Sequence, residues 1–355
     1  MRSGPLTVLG AGPGLGFYVP AAMVARQASR ARPVDLLAIE SLLPPDKQAI
    51  VERSRLAFHR SFDVARMGQR MVKDITGDLD AGAVEALLAR WGAEERRDFV
   101  VFSGFWAPLV ARFARESGRA LRIAHCHVDC AVSSSWGLAP QGGAEDVWFV
   151  RWEGRALNHR LDVCGRPPLP WVERSGRLLA HGGGWGIGTY RDRVRSVEPS
   201  RWPLDVLAYE PGDAAQAPPG ARVFLLDPGW APWKAGGDWF PPLGHLESGQ
   251  SPVRIVRNAD YPPLFDLTRT AAAVISKPGG GTLIDSLAAA TPLLLIEPFG
   301  DYERKNGELW KELGFAADLA GWIAGGCSRD ALESMHRRLL AARDRTPPYV
   351  PWGAA

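Results

Sequence analysis

Twice along the chain a short apolar run leads into a cluster of glycines and then into a helical pattern. The first instance is Leu6–Leu9, then Gly10-Ala11-Gly12-Pro13-Gly14-Leu15-Gly16, then a helix near 20–30. The second is Leu178–Ala180, then His181-Gly182-Gly183-Gly184-Trp185-Gly186-Ile187-Gly188, then another helix. A strand that runs through a glycine turn into a helix is half of a strand–helix–strand unit, and such units build parallel sheets with crossover helices. Each half of the chain opens this way, so the sequence predicts an α/β protein of two similar domains. Its 355 residues agree, because a single core stops growing at roughly 250–300 residues.

Further strands are predicted at Val34–Ile39, Phe99–Phe102, Leu121–Ala124 and Val147–Val150, with a mostly helical stretch over 45–97. Residues 165–176 hold three prolines and two glycines and read as a linker. Later strands are predicted at Leu204–Ala208, Val223–Leu226, Val253–Val256, Ala273–Ile275 and Leu293–Ile296, with loops over 210–220 and 228–251 and a last amphipathic helix over 329–343. The domains expected are therefore 1–164, a linker at 165–176, a second domain over 177–328, and a helix and tail over 329–355. Ligands of parallel sheets sit at the carboxyl ends of the strands, so the two sheets should face each other across a central cleft.

Composition narrows the classes. A net charge of +3 is too small to mark a nucleic-acid binder. Cys126, Cys130, Cys164 and Cys327 form no dense framework, which suits a reducing compartment. The first residues read as a strand rather than a signal peptide, and no window reaches about 18 unbroken apolar residues, so a cytoplasmic protein with no transmembrane segment is expected.

The densest chemistry lies in Ala273-Val274-Ile275-Ser276-Lys277-Pro278-Gly279-Gly280-Gly281-Thr282-Leu283-Ile284-Asp285, which reads as strand, glycine turn and helix. Backbone N–H groups at such a helix start, helped by Thr282 and by roughly half a positive charge from the helix dipole, suit phosphate oxygens. Lys277 is a further candidate for phosphate. Asp285 follows almost one turn later, where a carboxylate can accept hydrogen bonds from two ribose hydroxyls. The second glycine loop, with Gly183, Gly184 and Gly186, is a candidate for the same diphosphate. The first loop lacks a clean G-x-G-x-x-G spacing, and only Glu40 stands near where a ribose-binding acid would, so dinucleotide binding is not expected there.

Ser-Lys-Pro-Gly-Gly-Gly-Thr, then an acid, then the strand of Thr291–Pro298, then Pro-x-x-x-x-Glu-x-x-Asn resembles the nucleotide-sugar site of GT-B glycosyltransferases. It is most similar to the branch of the lipid-linked peptidoglycan N-acetylglucosaminyltransferases and the diacylglycerol galactosyltransferases. Val253–Asn306 is covered well, Leu178–Tyr190 loosely, and the first half only in outline. The resemblance implies the GT-B fold of two Rossmann-like domains and an inverting hexosyltransferase. It implies a UDP-sugar as donor substrate, a small-molecule acceptor of the secondary-metabolite kind, and no resident cofactor. Residue by residue, it implies that Ser276 and Gly279–Thr282 meet the diphosphate, Asp285 the ribose, and Glu303 with Asn306 the sugar.

In many such enzymes the first loop reads Gly-His-x-x-Pro, where this chain has Gly16-Phe17-Tyr18-Val19-Pro20. A replacement base is sought in His125-Cys126-His127-Val128-Asp129-Cys130, at the cleft end of a strand: His127, oriented by Asp129, is the candidate. Paired zinc spacing is absent there, so no metal is expected. His59, His159 and His245 read as structural. Trp106, Trp136, Trp148 and Trp152 are candidates for an acceptor pocket or for core. The alternatives are a GT-B-like protein that transfers no sugar, as a silent partner or with other chemistry, and a nucleotide-sugar epimerase.

Overall fold

The structure, a computed structural model, describes residues 4–12, 14–70, 74–139, 142–234, 238–246 and 253–352. Pro13 of the first glycine loop, parts of the 228–251 segment and the last three residues lie outside these.

The first half contains β1 (Leu6–Gly10), α1 (Leu15–Ala28), β2 (Val34–Ala38), α2 (Pro45–Arg60), α3 (Phe62–Arg70), α4 (Ala81–Ala93), β3 (Asp98–Val101), α5 (Ala107–Ser117), β4 (Arg122–His127) and β5 (Glu145–Trp148). Its five strands form one parallel sheet in the order β2-β1-β3-β4-β5. The predicted strand over Val147–Val150 divides: Phe149 ends the β5 pairing, and β6 (Val150–Arg151) turns away to pair with β7 (Ala156–Leu157).

The second half contains β8 (Leu178–Ala180), α6 (Tyr190–Arg193), β9 (Leu204–Ala208), β10 (Arg222–Leu226), β11 (Leu243–Leu246), β12 (Ile255–Val256), α7 (Leu264–Thr270), β13 (Ala273–Ser276), α8 (Gly280–Ala289), β14 (Leu293–Leu295), α9 (Asp301–Glu312), β15 (Ala316–Asp318), α10 (Leu319–Ala324) and α11 (Arg329–Arg345). The sheet order is β12-β11-β10-β9-β8-β13-β14-β15, parallel except for the antiparallel edge of β11 and β12. Two expectations change here. β11 lies inside the segment predicted as loop, and the helix predicted after Gly188 is the single turn α6.

Both sheets reverse direction of growth next to their first strand, between β1 and β3 in one and between β8 and β13 in the other. Chains leave a parallel sheet in opposite directions at such a point, which opens a crevice for ligand. Both glycine loops leave those strands.

The loops do not face each other across open space. Leu15, Tyr18 and Ala22 of α1 share one apolar core with Ile284 and Ala288 of α8 and with Trp185, Trp230 and Phe265. The tail returns from α11 to the first domain, where Tyr349 joins that core and the Tyr349 N–H donates to the Arg160 carbonyl at 2.9 Å. No helix among the described residues is long and apolar enough to cross a membrane.

Candidate functional site

At the switch point of the second sheet, Ser276 ends β13 and His181 follows β8, both buried. The His181 Nδ1 accepts the Gly183 N–H at 3.0 Å, and the Ser276 hydroxyl lies 3.4 Å from the same nitrogen. Burial, with the Lys277 charge added, presses the His181 pKa down to about 4, so the ring is neutral at pH 7. His181 was part of the sequence motif, but only the fold shows it joining the two glycine segments.

The loop after His181 is packed rather than open. A Cβ at Gly184 would lie 2.5 Å from that of Leu15 in α1. Gly186 has φ +65°, and a Cβ there would meet the Tyr209 ring at 2.2 Å and the His59 Nδ1 at 2.5 Å, so no other residue fits. The Trp185 indole donates to the Gly12 carbonyl at 2.7 Å. The first loop is therefore filled from both sides: the Gly12 N–H donates to Glu40 at 2.8 Å, and the Trp233 ring stands where a Gly12 side chain would go. Glu40 is pushed up to about 7 by burial, partly offset by the Gly12 bond. Tyr18 is buried against Trp230, and burial raises its pKa further, which removes it as a base.

The start of α8 has no side-chain cap of its own. A carboxylate from the other domain supplies one. The Gly280 N–H donates to Asp129 Oδ1 at 3.1 Å, and the Asn306 amide donates to the same oxygen at 2.8 Å. Asn306 also donates to the Pro278 carbonyl at 3.0 Å and accepts the Cys130 N–H at 2.7 Å. Asp129 is 3% exposed. Burial, aided by the nearby Glu303 charge, pushes its pKa up to about 7, against the lowering effects of Asn306, Lys277 and Gly280. The approach is tight: a Cβ at Gly280 would lie 2.6 Å from the Val128 carbonyl oxygen, and one at Gly281 would lie 3.2 Å from the Gly16 Cα.

This corrects the expected pairing of Asp129 with His127. Asp129, two residues beyond β4, turns toward the second domain, while His127 is the last residue of the strand itself. His127 Nε2 instead bonds Asp146 at 2.8 Å, and its ring stacks on Trp148 with centroids 4.1 Å apart. Burial lowers the His127 pKa against the raising effect of Asp146. Trp136 also packs on His127, tilted, with centroids 4.7 Å apart. Trp106 is core, its indole donating to the Gly10 carbonyl. Trp152 lies under the Arg155 guanidinium. Cys126 and Cys130 are free buried thiols, both pushed up to about 12 by burial.

Glu303 is 2% exposed, forms an ion pair with Lys277 and accepts the Phe299 N–H at 2.7 Å. Thr282 is buried in the first turn of α8. Asp285 is half-buried, makes no hydrogen bond or ion pair among the described residues, and is pushed up to about 7 by burial alone. The structure thus groups Asp129, Gly280, Glu303, Asn306 and Lys277, and separates His127 from them.

His59, read as an isolated structural residue, bridges the domains. Its Nδ1 meets the Gly186 carbonyl at 3.1 Å and its Nε2 meets Asp213 at 3.0 Å, while Arg191 binds Asp213 at 2.6 Å. Burial pushes the Asp213 pKa upward, but His59 and the N–H groups of Tyr209 and Glu210 outweigh it and hold the carboxylate well below its ordinary range.

No family model and no curated protein sequence matches the chain. Among solved structures, it is similar to the glycosyltransferase SnogD from Streptomyces nogalater, at 16% identity and a TM-score of 0.55 over 98% of this chain and 96% of that one. It is likewise similar to MurG of Acinetobacter baumannii, at 15% identity and a TM-score of 0.52 over 98% and 96%. The glycosyltransferase VinC in complex with dTDP matches at 14% identity and a TM-score of 0.54 over 97% and 96%. The chain has the GT-B fold. In this chain the loops at the carboxyl ends of the two sheets touch at the domain boundary.

Proposed function

We propose that the chain is a glycosyltransferase that moves a sugar, with inversion, from a nucleoside diphosphate to a small-molecule acceptor. The observation that carries this reading is the switch point of the second sheet. There the start of α8, capped only by Asp129 of the first domain, lies beside the His181–Gly188 loop, with Asp285 in the first turns of α8 and Glu303 and Asn306 on α9. In this reading Ser276 and Gly279–Thr282 hold the diphosphate, Asp285 the ribose, and Glu303 with Asn306 the sugar; Gly183, Gly184 and Gly186 join the diphosphate site only if their loop parts from Leu15, Tyr209 and His59. UDP is the first donor to try and dTDP the second, since VinC was solved with dTDP.

A diphosphate can reach the Gly280 N–H only if Asp129 leaves it. Donor binding then frees a carboxyl at the domain boundary, and a carboxylate released from burial is ionised and free to take a proton from an acceptor hydroxyl. Asp129 is therefore the preferred base, with the His127–Asp146 pair second. Calorimetric titration with UDP, dTDP and UDP-sugars tests the donor site: no binding by the wild type, or unchanged binding in Asp285→Ala, sinks it.

The contact of Asp129 with Gly280 also favours a second reading, a GT-B protein locked shut that serves as a silent partner. A product assay separates the two. A mass gain of one sugar on an acceptor, with release of the nucleoside diphosphate, supports the transferase. Consumption or isomerisation of donor with no acceptor present supports an epimerase.

A further inference from the structure

Beside the closed loops a cleft of about 360 Å³ remains between the domains. Arg66, Val132 and Ser134 line it from the first domain, and Phe299, Asp301 and Lys305 line it from the second. Its size suits a small organic molecule.

One wall is apolar. Val132 is 61% exposed. Phe299 pairs with Phe62 across the domain boundary, with ring centroids 6.1 Å apart. An exposed aliphatic side chain beside an interdomain aromatic pair favours an apolar or aromatic body. The remaining chemistry is cationic. The Arg66 guanidinium lies 5.9 Å from the Phe62 ring centroid and the Lys277 ammonium 5.5 Å from that of Phe299, so a cation sits beside each ring. Lys277 is neutralised by buried Glu303. Arg66 and Lys305 form no ion pair among the described residues, although most arginines and lysines of this chain do, and Lys305 acts on Glu153 only at longer range. Asp301 on the rim is shared with Arg304 at 3.7 Å, and its side chain is 96% exposed. Two cations outside any ion pair, one from each domain, therefore face a single opening.

The cleft shares its floor with the candidate sugar site, because the Phe299 N–H holds Glu303 and Lys305 is followed directly by Asn306. We propose that the acceptor is an organic anion. Its carboxylate or phosphate would be held between Arg66 and Lys305, and its apolar body would lie against Val132 and Phe299. Naming the ligand as acceptor rests on the glycosyltransferase reading; the anion site itself does not.

The test is calorimetric or saturation-transfer binding to the full chain of three probes: 4-hydroxybenzoate, 4-nitrophenyl phosphate and the neutral methyl 4-hydroxybenzoate. At least one anion should bind roughly fivefold or more tightly than the ester, as expected for two partly exposed ion pairs. That preference should vanish in the double variant Arg66→Gln, Lys305→Gln, and grow in Asp301→Asn. Arg66 and Asp301 are exposed and Lys305 is only half-buried, with no ion pair to break, so folding should be unaffected. An ester that binds as tightly as both anions, or a preference that survives the double variant, overturns the proposal. UDP titrated into the same samples keeps the readings apart. An intact anion preference without UDP binding removes the donor reading and leaves the anion site standing.

Discussion

Asp129 sits between the helix start it caps and an amide, 3% exposed, with an ordinary carboxylate pKa of 3.8 raised to about 7. A raised carboxyl stabilises the fold fully below its unfolded value and loses that contribution as pH climbs through the folded one. The wild type should therefore lose stability between about pH 4 and 7 through this group. Asp129→Asn cannot ionise and keeps an oxygen for the Gly280 N–H. Relative to wild type, it should gain on the order of 2–4 kcal/mol between pH 5 and pH 8 in denaturant melts. Glu40 and Asp285, also near 7, titrate alike in both proteins and cancel in the difference. A difference that stays flat with pH would refute the assignment. Glu303 makes the contrasting case. Glu303→Ala strands Lys277, whose side chain is 12% exposed, and should cost about 3–5 kcal/mol. The double change Lys277→Met, Glu303→Leu should recover most of that stability while abolishing donor binding, which calorimetry beside a melt would reveal.

At the scale of elements, α8 is held at both ends by residues from elsewhere. Asp129 takes its first N–H group. At its other end, Arg174 of the predicted linker donates to the carbonyls of Ala289 at 2.7 Å and Ala290 at 3.2 Å, and also to Ala271 and Thr291. His336 of α11 meets the Ala290 carbonyl at 2.7 Å. Burial lowers the Arg174 pKa to about 10, so it stays charged. Stranding buried carbonyls costs about 1–3 kcal/mol each when no water replaces the donor. Arg174→Met should therefore lower unfolding free energy by about 3 kcal/mol or more. It should leave the α8 start, and with it UDP affinity in the folded protein, unchanged. A variant as stable as wild type would mean that water takes over those carbonyls. The linker was legible from its prolines, but its service as a helix cap was not, since nothing in Glu173-Arg174-Ser175 distinguishes a buried arginine from a solvated one.

At the scale of the whole molecule, the domains are joined by a shared core, by the His59–Asp213–Arg191 network and by the contact of Asp129 with α8. If a donor enters by displacing Asp129, removing that carboxylate should help it. Asp129→Ala should bind UDP roughly tenfold more tightly than wild type, the weight of one charge-assisted hydrogen bond no longer to be broken, while losing turnover. Hydrogen exchange over 280–283 should slow on UDP binding in both proteins. Equal UDP affinity in wild type and variant would place the donor elsewhere.

The sequence by itself determined the α/β class, the two strand–glycine–helix openings, and the grouping of Ser276, Gly279–Thr282 and Asp285 at the end of one strand. Those are local patterns, set by residues within a turn or two of one another. It did not determine β11, whose Leu-Gly-His-Leu becomes a strand only because β10 offers it an edge. Nor did it determine that Asp129 leaves its neighbour His127 for partners 151 and 177 residues away, or that His59 reaches Asp213 across 154. Those contacts depend on how the two sheets meet. A buried carboxylate goes to whichever donors the meeting faces bring within 3 Å, and no periodicity in the chain encodes that.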